Sequence, residues 1–230
     1  MVKHEFWMRR ALEEAALSGE DIPVGAIVVK DDRLIAAAHN RREQDEAPFA
    51  HAEMLAMEQA ARVLGTRRLN GCTLYVTLEP CCHQGRTGPC TEALIAAGVS
   101  QVVTAMTDPN PLVSGVGLRR LRQAGLAVEV DHRYTAEAAA LNEPFIHFMR
   151  RGAPLVTVKA AVTLDGKIAA SDGTSKWISS GRSRRTARRL RERSGAVMVG
   201  IGTVLADDPF LLDEKRKGYA TARVVVDSEL

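Results

Sequence analysis

Apolar residues recur at helical spacing from the start of the chain. Phe6, Met8, Ala11, Leu12 and Ala15 fall on one face of HEFWMRRALEEAAL, which predicts a first helix. VGAIVVKDDRLIAAAH then holds two β-rich runs around Asp31–Asp32, the pattern of a hairpin. HAEMLAMEQAARVLG (51–65) reads as a helix closed by Gly65. Next come a strand in CTLYVTL, a helix in CTEALIAAG ending at Gly98, and a strand in VSQVVTAM. A helix in GLRRLRQAG and a strand in LAVEVD follow, and TAEAAALNEPFIHFMRRG is a helix with a break near Pro144. Strands alternating with helices in this order predict a three-layer αβα fold around a sheet of about five strands.

A polar, glycine-containing step at 150–153 marks a boundary, giving domains 1–150 and 151–230. Beyond it lie a β-run in APLVTVKAAVT, a loop-rich LDGKIAASDGTSKW, an arginine-rich helix in 181–195, and strands in AVMVGIG and ARVVVDS. The chain stops two residues after VVVDS, where the pattern reads as mid-sheet. The second domain is therefore expected to be incomplete and too short to close its own core.

Composition narrows the function classes. No run approaches the roughly 18 apolar residues of a helical membrane span, and the N-terminus has no signal-like apolar core. A cytoplasmic protein with no membrane partner is expected. The formal charge of +3 is too small to argue for nucleic acid on its own. The arginines of 181–195 are a solvated helix face or, as the lesser alternative, an anion site. Four cysteines in a reducing compartment read as metal ligands or buried thiols rather than disulfides. Cys72, just before a strand, is expected to be packed. Cys82, beside Cys81, is expected to point elsewhere and pack.

Chemistry concentrates in AHAEM and LEPCCHQGRTGPC. His51, Cys81 and Cys90 offer one imidazole and two thiolates, a donor set for zinc that leaves the fourth tetrahedral position to water, as catalytic sites do. Both ligand-bearing segments begin predicted helices, whose N–H ends favour negative charge. Glu53 is the residue a structural zinc site would not need. Its carboxylate is placed to shuttle a proton from water to a leaving nitrogen. His-x-Glu followed by Pro-Cys resembles the signature of the zinc nucleobase deaminases, whose general mechanism is a standing example of such chemistry. The cysteine spacing departs from it, since residues 82–89 separate the two thiols.

LEPCCHQGRTGPC and DPNPLVSGVGLRRLRQAG closely resemble the bifunctional deaminase/reductase family of riboflavin biosynthesis. VKAAVTLDGKIAASDGTSKWIS and VGIGTVLADDPFL extend the resemblance into that family's reductase half, so residues 73–211 are covered. The resemblance implies a cytidine-deaminase-like domain followed by a dihydrofolate-reductase-like one. The substrate it implies is 2,5-diamino-6-ribosylamino-4(3H)-pyrimidinone 5′-phosphate. His83, Arg86 and Asn110 would then contact that small phosphorylated pyrimidine, and Thr87 would border the same cavity. In the reductase half, Ala161, Trp177, Thr203 and Asp207 match NADPH contacts, and Ser175, Arg191 and Leu211 match substrate contacts. Lys159, charged within an apolar run, is a further substrate-site candidate, with a paired structural charge as the alternative. Leu212 and Glu214 depart from the family, which has a threonine and a phosphate-binding arginine there. With further strands absent from these residues, weak or missing reductase activity is expected.

The first 80 residues resemble a second family. HEFWMRRALEEA, DIPVGAIVV and HNRREQDEAPFAHAEMLA are similar to the tRNA wobble adenosine deaminases, and Asn40 matches an asparagine those enzymes place near the target ribose. Asp21–Ile22–Pro23–Val24–Gly25 stands where the riboflavin family carries P-N-P-x-V-G. Three readings therefore stand: the pyrimidine deaminase, a tRNA adenosine deaminase with tRNA as partner, and a zinc-stabilised scaffold without activity, against which Glu53 speaks. Deaminases of this fold commonly pair subunits, so a homo-oligomer is expected.

Overall fold

A two-residue turn starts the sheet. Asp31 and Asp32 both take positive φ (48° and 56°), the conformation that lets a tight hairpin follow the strands' own twist. It joins β1 (Gly25–Lys30) to β2 (Arg33–His39), paired antiparallel with a bulge at Val28/Val29. β3 (Thr73–Val76) pairs antiparallel with the other edge of β1, then β4 (Gln101–Thr104) and β5 (Ala127–Val130) add in parallel. The order is β2-β1-β3-β4-β5, five strands as the alternation predicts. In this computed structural model residues 2–83, 88–111, 113–211 and 221–229 are described, Val2 and Lys3 by backbone alone.

Helices cover both faces. α1 (Val2–Ala15) packs so tightly on β1 that a Cβ at Gly25 would lie 2.0 Å from the Ala11 carbonyl oxygen. On that face the Tyr75 hydroxyl pairs with His4 Nδ1 at 2.9 Å. α5 (Thr135–Leu141) follows a 3-10 turn, His132–Tyr134, and contacts α1. α2 (Ala52–Leu64) packs on β1 and β2 and contacts α3 (Cys90–Ala97), which in turn meets α4 (Val116–Gln123). α2 and α3 each end at a left-handed glycine, Gly65 and Gly98, as their sequences predict. α6 (Glu143–Arg151) starts with Pro144 in its first turn, so the predicted break is a helix start. One contiguous core fills both interlayers, from Met8 and Ile27 through Leu74, Val76, Leu94 and Val102 to Leu121. Cys72 is fully buried in it, as expected of a packed thiol.

The chain divides into two compact units, Met1–Leu155 and Val156–Leu230. In the second, α7 (Gly181–Glu192) precedes a parallel pair, β6 (Ala196–Gly200) and β7 (Ala222–Val226), with α8 (Ile201–Asp207) between them. Two expectations fail here. The β-patterned run 153–163 forms no strand, and Val156 and Val158 are left exposed. The strand expected over AVMVGIG stops at Gly200, and Ile201 and Gly202 open α8 instead. Leu211 is the one buried residue among the described residues of this unit. Arg86, Thr87, Leu212 and Glu214 lie outside the described residues.

Candidate metal centre and catalytic cavity

The site sits where β3 and β4 end in the carboxyl direction, the crevice that open α/β sheets offer to ligands. β1 and β2 run antiparallel to β3 and parallel to it respectively, so the start of β1 (Ile22–Val24) and the end of β2 (Asn40) arrive at this same edge. α2 and α3 both begin here.

His51 is the residue before α2's first turn, with extended backbone (φ −73°, ψ 147°) and an imidazole that caps nothing. The first amide of that helix is satisfied instead by Asn40, whose Oδ1 accepts from Ala52 N at 2.9 Å. Asn40 Nδ2 donates to the Ile22 carbonyl at 3.0 Å, tying the β1 entry to the β2 exit. Relieved of capping, His51 turns Nδ1 toward two sulfurs, 3.4 Å from Cys90 Sγ and 3.9 Å from Cys81 Sγ. Cys81 is drawn to the start of α3: its Sγ accepts from Cys90 N at 3.3 Å, and its carbonyl accepts from Thr91 N.

The three donor atoms lie within 4.8 Å of one another. Around a tetrahedral zinc, bond lengths of about 2.0 Å to nitrogen and 2.3 Å to sulfur put these atoms roughly 3.6 Å apart. The observed separations bracket that value, so the donor set fits the ion. A hydrogen bond from the Cys90 thiol, outweighing burial, and bonds from His51 and the Cys90 amide pull Cys81 down to about 4, while Cys90 is driven upward by that same thiolate and by burial. His51 is raised by its bond to Cys81, against burial and against the positive charge of Arg42. Glu53, on α2's first turn, is 4% exposed, and burial followed by the Cys81 charge pushes it up to about 7. Cys82 is half-buried and its thiol is raised by burial; it is not in the donor cluster.

A cavity of about 220 Å³ opens beside Glu53, His51 and Cys81. Asn40, His83 and Asn110 line it, so four candidate contacts of the first domain reduce to three that the described residues show together, with Arg86 outside them. Ile22, Val24, Leu78, Val113 and Phe145 supply apolar walls. Four further residues organise this edge. Asp21 accepts from Arg42 N, Glu43 N and Gln44 N, fixing the loop between β2 and α2. Glu79, buried, accepts from Asp108 N at 3.1 Å, Gly115 N at 2.7 Å and Leu118 N at 3.2 Å. Gly117 is where α4 meets the Pro80 carbonyl, 2.4 Å from any added Cβ. Arg42 lines the cavity from the β2–α2 loop. Glu79 within LEPC and the G-V-G at 115–117 carry a local signal for this role; Arg42 carries none.

The second unit gathers fewer of its candidates. Ser175 and Trp177 border a cavity with Thr163, Asp165 and Lys167, and Arg184 stacks over the Trp177 ring at 4.2 Å. Lys159, Ala161, Arg191, Thr203, Asp207 and Leu211 are not among that cavity's lining residues.

Comparisons with known proteins follow this division. The family model for the cytidine and deoxycytidylate deaminase zinc-binding region matches residues 1–106, and that for the RibD C-terminal domain matches 154–230. The riboflavin biosynthesis protein RibD of Aquifex aeolicus is 44% identical over 90% of this chain and 56% of its own. The Thermotoga maritima diaminohydroxyphosphoribosylaminopyrimidine deaminase/5-amino-6-(5-phosphoribosylamino)uracil reductase superposes with a TM-score of 0.85 at 41% identity, over 98% of this chain and 63% of that one. A structure from work on A-to-I editing by tRNA:A34 deaminases matches 60% of this chain and 99% of its own at 33% identity, with a TM-score of 0.51. The chain spans 54–64% of the length of the curated relatives it matches. No helix among the described residues is long and apolar enough to cross a membrane.

Proposed function

Because the chain belongs to the RibD family of riboflavin-biosynthesis proteins, we propose that its first unit hydrolytically deaminates 2,5-diamino-6-ribosylamino-4(3H)-pyrimidinone 5′-phosphate, releasing ammonia and the uracil analogue. The observation that carries this reading is Glu53 buried in the wall of the cavity into which His51 and Cys81 also face. His51, Cys81 and Cys90 would hold a zinc ion, which supplies Lewis acidity that makes water a nucleophile near neutral pH. Glu53 takes a proton from the attacking water and delivers it to the exocyclic nitrogen. The C–O bond forms, the C–N bond breaks, and the nitrogen leaves as ammonia. Asn40 keeps His51 and Glu53 in alignment through the first amide of α2. Leu78, Val113 and Phe145 keep bulk water from the reacting carbon. His83, Asn110 and Arg86 are proposed contacts to the ribose phosphate and carbonyl groups.

A second reading, tRNA adenosine deamination, is supported by the 33% identity over nearly the full length of a tRNA:A34 deaminase structure. One panel separates the two: zinc per chain, ammonia release from the pyrimidine nucleotide, and inosine formation in an anticodon stem–loop. Ammonia from the pyrimidine with no inosine is expected. Inosine alone transfers the assignment, and neither product with zinc bound returns the scaffold reading.

The second unit is proposed as the N-terminal part of an NADPH-dependent reductase domain, from its match over 154–230. Among the described residues the proposed cofactor contacts Ala161, Thr203 and Asp207 do not share the Trp177 cavity. They form no assembled seat for the nucleotide there, and no hydride step follows from them. Assembly as a homo-oligomer is part of the same proposal, read by light scattering.

A further inference from the structure

Arg42 stands apart from the residues that the deaminase reading uses. It sits in the loop between β2 and α2, half-buried, with its side chain in the wall of the same cavity as His51 and Glu53. Its Nε is buried from solvent and has no hydrogen-bond partner. A guanidinium N–H removed from water and left unpaired is destabilising, and more so for a charged group. The cost is not a by-product of a loose loop, because the backbone here is held. Arg42 N donates to Asp21 Oδ1 at 3.0 Å, and the Arg42 carbonyl accepts from Ala47 N at 2.9 Å. No ion pair of Arg42 is found among the described residues, although Arg41 beside it pairs with Asp45 at 2.8 Å. Of two adjacent arginines, one is paired with an acidic side chain and the other lines the cavity.

We infer that Arg42 is a specificity-determining residue that binds the phosphate of a sugar 5′-phosphate in this cavity. A planar fork of N–H donors matches the oxygens of a phosphate monoester. The inference rests on the deaminase reading for its substrate, but the binding seat itself does not depend on turnover.

The test uses the full chain and ribose 5-phosphate as probe, followed by isothermal titration. The wild type binds it, Arg42→Gln binds it at least tenfold more weakly, and Arg42→Lys falls between, since it keeps the charge and loses the fork. Because the backbone bonds of residue 42 survive either substitution, both variants keep the wild-type zinc content and circular dichroism. In turnover, Arg42→Gln raises KM for the phosphorylated pyrimidine at least tenfold with kcat nearly unchanged, and leaves KM for the dephosphorylated nucleoside where it was. Equal binding of ribose 5-phosphate by wild type and Arg42→Gln overturns the inference, as does no binding by the wild type. An anticodon stem–loop whose affinity depends on Arg42 while that of ribose 5-phosphate does not also overturns it, in favour of an RNA phosphate. Arg42-dependent binding of ribose 5-phosphate without ammonia release from the pyrimidine leaves the phosphate seat standing and removes the substrate assignment instead.

Discussion

Replacing Glu79 with alanine tests how the cavity wall is built. Its Oε2 accepts from Asp108 N and Gly115 N, and its Oε1 from Leu118 N, all from a buried position where water cannot take over. Each orphaned amide costs about 1–3 kcal/mol, so losing all three costs about 3–9 kcal/mol, a large share of a domain's total of roughly 5–15 kcal/mol. Glu79→Gln is the informative control. Its carbonyl oxygen can keep the two amides that Oε2 serves, while its NH2 faces the Leu118 N–H donor to donor, so about 1–3 kcal/mol is lost. The chain has two tryptophans, and Trp7 lies on α1 of the first unit, so a Trp177→Phe background makes Trp7 fluorescence report that unit alone. With a urea slope of about 2 kcal/mol/M, Glu79→Ala moves the midpoint down by roughly 3 M and Glu79→Gln by about a third as much. Equal midpoints for the two variants, or an alanine variant within about 0.5 kcal/mol of the wild type, would refute the account of Glu79 as the anchor of residues 108–118.

Three further outcomes follow from the same geometry. Glu53→Gln keeps one zinc per chain by elemental analysis and lowers kcat by about 10²–10⁴; retention of more than a tenth of the activity removes Glu53 from proton transfer. Chelation abolishes ammonia release and lowers stability by about 4 kcal/mol relative to zinc at a thousandfold excess over its Kd, and added zinc restores both. Gly117→Ala forces a methyl to within 2.4 Å of the Pro80 carbonyl oxygen, so the Trp7 transition shifts by about 1–3 kcal/mol, the ordinary cost of overpacking.

The first 150 residues are legible because their signals are local. The helix faces, the Asp31–Asp32 turn and the glycines at 65 and 98 each act within a few residues, and the five-strand sheet realises them. The donor triad is legible for a different reason. His-x-Glu at a helix start and a cysteine opening the next helix are positions whose chemistry differs from what packing alone requires, and the structure brings His51, Cys81 and Cys90 together. What escapes the sequence is long-range polar bookkeeping. Asp21 looks like a loop residue yet caps residues 42–44, and Asn40, legible as a ribose contact by resemblance, has its amide engaged by Ile22 and Ala52. The β-pattern at 153–163 is not realised, because alternation of apolar residues is local and does not specify pairing with a distant strand.

The two resemblances in the chain divide along a physical line. The parts that hold the donors are over-determined: α1 is pressed onto Gly25, α4 onto Pro80, Glu79 is bonded three ways, and Asn40 is locked between two main chains. Any deaminase that keeps these contacts keeps the same hydrolytic centre, whichever amino group it attacks. On the proposed reading substrate choice lies in the walls, which come from residues 22–24, the loop 40–51, residues 78–83, residues 108–113 and Phe145 of α6. Connections tolerate exchange because little of the core depends on them. The 40–51 loop is anchored by Asp21 at its start and by Asn40 through the first amide of α2 at its end, so its middle can change without moving His51 or Glu53. A tRNA-like loop carrying Arg42 and the riboflavin-type residues 78–83 and 108–110 line one cavity, in which, on the proposed reading, the loop binds the anion and the metal edge performs the hydrolysis.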